Sequence, residues 1–129
     1  MVTDLNGNKR KKHSLASSFK FGFQGIAAAL NERNVQIHSV ISIAVIFFGF
    51  VFSISKFEWF AVLLAIGGMV ALEMLNTAIE RTVDMYTVDF HPLAKQAKDI
   101  AAGAVLIFAI ISVIIGMMVF IPKIIAVLG

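Results

Sequence analysis

The chain has 129 residues, of which 59% are hydrophobic and 15% charged, with no cysteine and a formal net charge of +3. Soluble domains average about 45–50% apolar and 25% charged residues, so this balance excludes an ordinary soluble domain and indicates one compact membrane unit. The lack of cysteine excludes thiolate catalysis, disulfides and Cys-ligated zinc or iron–sulfur centres.

Residues 1–13 are polar and basic and read as a disordered arm, whose Lys9, Arg10, Lys11 and Lys12 suit an anionic membrane surface. The first apolar segment starts well after that cluster and has no small-residue cleavage site behind it, so no cleavable signal peptide is expected. From about 14 to 31, Leu15, Phe19, Phe23, Ile26 and Leu30 recur at helical spacing while Lys20 and Gln24 lie to the side. This predicts an amphipathic helix in the membrane interface or packed on the bundle, two readings that are compatible.

Three apolar runs follow, at about 35–55, 57–84 and 100–121. Each is long enough for a bilayer that needs about 20 helical residues. His91-Pro92 reads as a turn before the third, and Pro122-Lys123 as the end of its main run. Nine basic residues (Lys9, Arg10, Lys11, Lys12, Lys20, Arg33, Arg81, Lys95 and Lys98) fall on one side of this threading and two (Lys56 and Lys123) on the other. The positive-inside rule then puts the N-terminus and the 81–99 segment in the cytoplasm and the C-terminus outside. Basic residues so placed are explained by orientation and lipid headgroups, so no nucleic-acid partner is expected. Trp59 fits an outer-interface anchor, His38 a packing or interface residue, and Met69, Met74, Met117 and Met118 packing residues. Gly67, Gly68, Ala71, Gly103 and Gly116 offer small surfaces for close helix packing. Three spans make a thin bundle, so a homo-oligomer is expected. The fold class is therefore all-α integral membrane, with 14–129 as a single membrane-embedded domain.

The inner end of the second span carries the chemistry. At about 100° per residue, offsets of seven and eleven return to within roughly 20° of the start, so Glu73, Glu80 and Asp84 form one acidic stripe with Asn76 on its flank. A carboxylate at membrane depth is costly and by default functional. Glu80 and Asp84 are moreover like charges at i,i+4, which need something to offset them. Arg81 points about 80–100° away from the stripe. The missing partner is a cation from another segment or a bound metal ion. At about 1.5 Å per residue from Phe57, Glu73 lies just inside a 30 Å hydrocarbon layer and Glu80 and Asp84 just beyond it.

The threading brings Glu32, Lys98 and Asp99 to the same level. Carboxylates and an amide without thiols suit Mg²⁺ together with phosphate oxygens, and a lysine beside them offsets phosphate charge. A glutamate just within the apolar layer has its charged form disfavoured, which suits a general base. Together these features indicate phosphoryl transfer at a membrane surface, without a P-loop or a kinase-type glycine loop. Each residue also has a plainer role. Glu32 would favour a helix N-terminus, Lys98 and Asp99 would anchor at the interface, and Glu80 and Asp84 would be solvated. Glu73 is the hardest to explain that way.

The run Glu73-Met-Leu-Asn76-Thr-Ala-Ile-Glu80-Arg-Thr-Val-Asp84 resembles the signature of the prokaryotic diacylglycerol kinase family. Ala97-Lys98-Asp99 with Ala101-Ala102-Gly103-Ala104-Val105, and Asn31-Glu32-Arg33-Asn34 upstream, resemble its two other motifs, in the right order. The resemblance runs from about Phe19 to Pro122. His91-Pro92-Leu93-Ala94-Lys95, and Asn31–Asn34 with His38, look like the Gram-positive undecaprenol kinase branch, which phosphorylates the C55 polyprenol rather than chiefly diacylglycerol.

The resemblance implies a homotrimeric bundle in the bacterial cytoplasmic membrane, with three transmembrane helices and an interfacial N-terminal helix per subunit and active sites between subunits. It implies an ATP- and Mg²⁺-dependent lipid kinase acting on undecaprenol, with diacylglycerol as the alternative substrate. Glu73 would take the proton from the lipid hydroxyl. Glu32 and Glu80 would bind the metal carried with ATP. Asn76 would orient the reacting groups, Lys98 contact the γ-phosphate and Asp99 support the nucleotide site. Asp89 to His91 lies where the family's inner loop approaches nucleotide, and Asp84 matches a family acid of open role. Two other classes compete: a small proton-coupled transporter with Glu73 as relay, and a non-catalytic membrane subunit that presents its helices to partners. The first would leave Glu32, Lys98 and Asp99 without roles.

Overall fold

A few short junctions decide where the helices of this chain start and stop. A computed structural model describes residues 14–129; the expected arm at 1–13 lies outside the described residues. It contains α1 (Leu15–Ala29), α2 (Arg33–Val51), α3 (Lys56–Tyr86) and α4 (Pro92–Leu128). The last three are long and apolar enough to cross a membrane. Ser14 caps α1 by accepting a hydrogen bond from the Ser17 amide. The next turn is tied by the Gln36 side chain, whose Nε2 donates to the Leu30 carbonyl at 2.9 Å.

α2 stops at Val51, four residues before the expected boundary at 55. Ser53 adopts a left-handed conformation (φ 48°). The amide of Ile54 donates to the Gly49 carbonyl and that of Ser53 to the Phe50 carbonyl, each at 3.1 Å. This is the Schellman pattern, which satisfies terminal carbonyls while reversing the chain. Ser55 then starts α3 with a capping box. Its hydroxyl accepts from the Glu58 amide at 3.2 Å, while its own amide donates to the Glu58 carboxylate at 2.7 Å. Gly49 is required here: a Cβ would lie 2.7 Å from Cη2 of Trp59. Trp59 is thus half-buried in the hairpin, its ring tilted by 52° against that of Phe50 with centroids 4.9 Å apart.

α4 departs most from expectation. It begins at Pro92, eight residues before the apolar run, with His91 as N-cap and proline at a first-turn position that needs no amide donor. Pro122 does not end it; the helix continues to Leu128. Proline removes one backbone hydrogen bond and crowds the preceding turn.

α3 is the centre of the bundle: α4 packs along most of it, and α2 and α1 pack on it as well. An apolar cluster of Ile54, Val62 and Val119, with Trp59, Phe52 and Phe120 around it, closes the hairpin end. Lipid tails are as apolar as these side chains, so packing rather than hydrophobic transfer holds them. Of the small residues expected to permit close packing, Gly68 does so, its face covered by the Phe108 ring. A Cβ at Gly67, Gly103 or Gly116 would meet nothing within 4 Å. Met69 is buried as expected, whereas Met117 and Met118 remain exposed on the single chain.

Candidate active site

At 1.5 Å per residue, the 31 residues of α3 extend about 46 Å, well beyond a 30 Å hydrocarbon layer. The surplus forms its last turns, where the acidic stripe lies. Along one face of α3 the buried residues are Val62, Ala65, Met69, Glu73 and Asn76. An apolar packing face thus turns polar in a single helical turn without leaving the interior.

Glu73 is 2% exposed, and no described residue gives its carboxylate a hydrogen bond or ion pair. Asn76, also buried, donates from Nδ2 to Glu80 Oε1 at 3.1 Å, while its Oδ1 is buried without a partner. An unsatisfied buried polar atom costs about 1–3 kcal/mol, so its persistence calls for a ligand or a function. Oδ1 of Asn76, the exposed carboxylate of Glu80 and the unpaired Glu73 form a cluster of hard oxygen donors, the chemistry Mg²⁺ prefers. Among the described residues no three acidic or histidine side chains converge on one point. A cation here would therefore draw part of its shell from a ligand such as phosphate.

The stripe's missing cation is supplied in part by another helix. Lys98 Nζ of α4 lies 2.5 Å from Asp84 Oδ1. Arg81, off the stripe, pairs with Glu32 and so ties the α1–α2 turn to the end of α3. Lys95 pairs with Asp99 one turn along α4 at 2.5 Å. These three pairs are largely exposed, so each contributes at most about 1 kcal/mol to stability; they chiefly fix position.

Asp84, Asp89, His91, Lys95 and Lys98 line a cavity of about 260 Å³ at the α3–α4 turn. The turn is held by Thr87, whose hydroxyl donates to the Asp89 carbonyl at 3.2 Å and accepts from its amide at 3.1 Å. His91 Nδ1 accepts from the Leu93 amide at 3.2 Å, which commits that nitrogen to capping α4. The expected site residues thus fall into three neighbouring groups: Glu73 with Asn76 and Glu80, the lysine-lined cavity, and Glu32 held by Arg81. Asp99 stands beside the second group through Lys95. Sequence reasoning passed over Arg81 and Lys95. The i,i+4 spacing of Lys95 and Asp99 was a usable signal, whereas nothing local links Arg81 to a residue 49 positions away.

Residues 20–120 match the family model described as prokaryotic diacylglycerol kinase. The chain belongs to that family. Membership makes it a lipid kinase, which removes the transporter and the non-catalytic subunit. It is 48% identical over 121 residues to the undecaprenol kinase of Bacillus subtilis, covering 93% of this chain and 98% of that one. It is 37% identical over 116 residues to the diacylglycerol kinase of Synechocystis, covering 88% and 66%. To the diacylglycerol kinase of Pseudomonas aeruginosa it is 35% identical over 92 residues, covering 71% and 69%.

Proposed function

We propose that this kinase transfers the γ-phosphate of ATP to the hydroxyl of undecaprenol at the cytoplasmic face of a bacterial cytoplasmic membrane, giving undecaprenyl phosphate and ADP. The observation that carries the mechanism is Glu73, a buried carboxylate without a partner, one turn from the Asn76–Glu80 pair. Placed there, it takes the proton of a lipid alcohol whose oxygen attacks the γ-phosphorus. The bond from that phosphorus to the β–γ bridging oxygen breaks, and ADP leaves with the electron pair. Such transfer depends mostly on positioning and charge stabilisation. Lys98, released from Asp84, meets the γ-phosphate; Asn76 orients the reacting groups; Asp99 and Lys95 steady the nucleotide side, with Asp89 and His91 at its edge. Glu80, beside Asn76, and Glu32, once released from Arg81, would hold Mg²⁺, which offsets phosphate charge when bound.

The lipid assignment rests on likeness to the Bacillus enzyme along almost its whole length. Diacylglycerol is the second reading, favoured by the names of the Synechocystis and Pseudomonas relatives. We take residues 14–129 as one catalytic domain, working as a homotrimer with α1 in the membrane interface, the N-terminus in the cytoplasm and the C-terminus outside. The exposed Leu15, Phe19, Phe23 and Ile26 of α1 support the interfacial placement. Purified protein given labelled ATP and either lipid, with Mg²⁺ or EDTA, tests the reading. Transfer to undecaprenol with the higher kcat/KM, abolished by EDTA, is the expected outcome. Strong preference for diacylglycerol would overturn the substrate, and transfer to neither would overturn the function.

A further inference from the structure

The proposed transfer uses Lys98 and Lys95 and leaves Arg81 without a role, although Arg81 follows Glu80 on α3 and pairs with Glu32. The charges around it are unevenly matched. Glu32, Asp84 and Asp99 each hold a cation: Arg81, Lys98 and Lys95 respectively. Glu73 and Glu80 hold none among the described residues, and beside them Asn76 Oδ1 is buried without a partner. A divalent cation matches these two open carboxylates in charge. The triphosphate that comes with it brings negative charge of its own, which further cations must meet.

Two cations flank the acidic stripe. Lys98 reaches it from α4, and the Arg81 guanidinium lies on the side of the α1–α2 turn. Arg81 stands about 100° round α3 from Glu80. On a helix about 10–12 Å across, that sets their tips roughly 8 Å apart. The two are too distant to pair with each other, and their separation suits a ligand that meets both. Helical side chains lean toward the N-terminus, so both tips lie over the turn that carries the buried Asn76. Arg81 gives Glu32 a single hydrogen bond, from one guanidinium nitrogen to one carboxylate oxygen, so most of its five donors stay uncommitted. The pair is largely exposed, and parting it costs little. A phosphate can take two parallel bonds from the same planar fork, which makes it the stronger partner.

We infer that Arg81 is a phosphate-binding residue, whose guanidinium turns from Glu32 to the nucleotide's phosphates when Glu32 takes up the metal. The inference rests on the proposed ATP- and Mg²⁺-dependent transfer and adds an exchange of partners to it. Glu32 gives up an arginine for a metal ion, and Arg81 gives up a carboxylate for a phosphate. Lys98 makes the same exchange with Asp84 on the α4 side, so the two flanking cations meet the phosphates from opposite sides of the stripe. A merely structural tie between the α1–α2 turn and α3 involves no such exchange.

Binding measured without a lipid alcohol, and so without turnover, tests the exchange. Purified wild type, Arg81→Ala, Arg81→Lys and Arg33→Ala are titrated with a non-hydrolysable ATP analogue and Mn²⁺ in calorimetry, and with Mn²⁺ alone in electron paramagnetic resonance. Arg81→Ala should raise the Kd of the metal–analogue complex about tenfold, the weight of one charged hydrogen bond. Lysine keeps the charge but not the fork, so Arg81→Lys should lie between the two. Mn²⁺ alone should bind Arg81→Ala at least as tightly as wild type, because Glu32 no longer has to leave an arginine. Arg33→Ala removes the same charge next to Glu32, from a residue without an ion pair among the described residues, and should match wild type in both titrations. In the transfer assay the loss in Arg81→Ala should fall on KM for ATP more than on kcat. An unchanged Kd for the analogue overturns the inference. Weaker binding of Mn²⁺ both with and without the analogue overturns it by making Arg81 a support for Glu32 only. An equal loss in Arg33→Ala overturns it by reducing the effect to general charge. A wild type that binds neither Mn²⁺ nor the analogue overturns the underlying activity as well.

Discussion

Glu58 and Glu73 lie on the same helix, fifteen residues apart, and are treated in opposite ways. Glu58, at the hairpin end, accepts from the Ser55 amide, completes a capping box and pairs with Lys123 at 3.3 Å. Glu73 is more deeply buried and has no partner among the described residues. The hairpin end around Glu58 is closed by aliphatic and aromatic side chains, whereas the site end around Glu73 is held by exposed ion pairs. A carboxylate tied to a backbone amide and an ammonium is a clamp. One left unsatisfied at the same cost is kept for chemistry.

This contrast can be broken at four points. The largest expected effect is that of Glu73→Gln, which removes the proposed base while keeping the shape. Its kcat should fall about 10²- to 10⁴-fold, with ATP binding and assembly retained in calorimetry and sizing. Lys98→Met removes the Asp84 partner and the proposed phosphate contact. We expect kcat/KM for ATP to drop about 10- to 100-fold, the usual weight of a charged hydrogen bond. Arg81→Ala frees Glu32. Because that pair is largely exposed, the loss in kcat in the transfer assay should be no more than about fivefold. The smallest effect on turnover belongs to Glu58→Gln. It should leave kcat within about twofold while lowering the thermal unfolding midpoint, because it weakens a helix start and a clamp distant from the site.

The spans and the acidic stripe were legible in the sequence because both are periodic, local signals: uninterrupted apolar runs, and acids seven and eleven residues apart. Helix ends were less so. The end of α2 depends on a left-handed Ser53, a residue type with no fixed preference for that conformation. Pro122 is a local signal for a stop, but the loss of a single backbone hydrogen bond does not end α4. The partnership of Lys98 with Asp84 was legible only as a need, since the stripe lacked a cation and the donor sits on another helix. Arg81 was set aside for pointing away from the stripe; that direction is what lets it reach Glu32.

The most direct measurement is the initial rate of labelled phosphate transfer from ATP to undecaprenol by wild type, Glu58→Gln and Glu73→Gln, purified alike and matched for ATP binding. The rate should survive the change at Glu58 and vanish with the change at Glu73. Equal rates for the two variants would contradict the assignment of the unpartnered carboxylate as the group that activates the lipid.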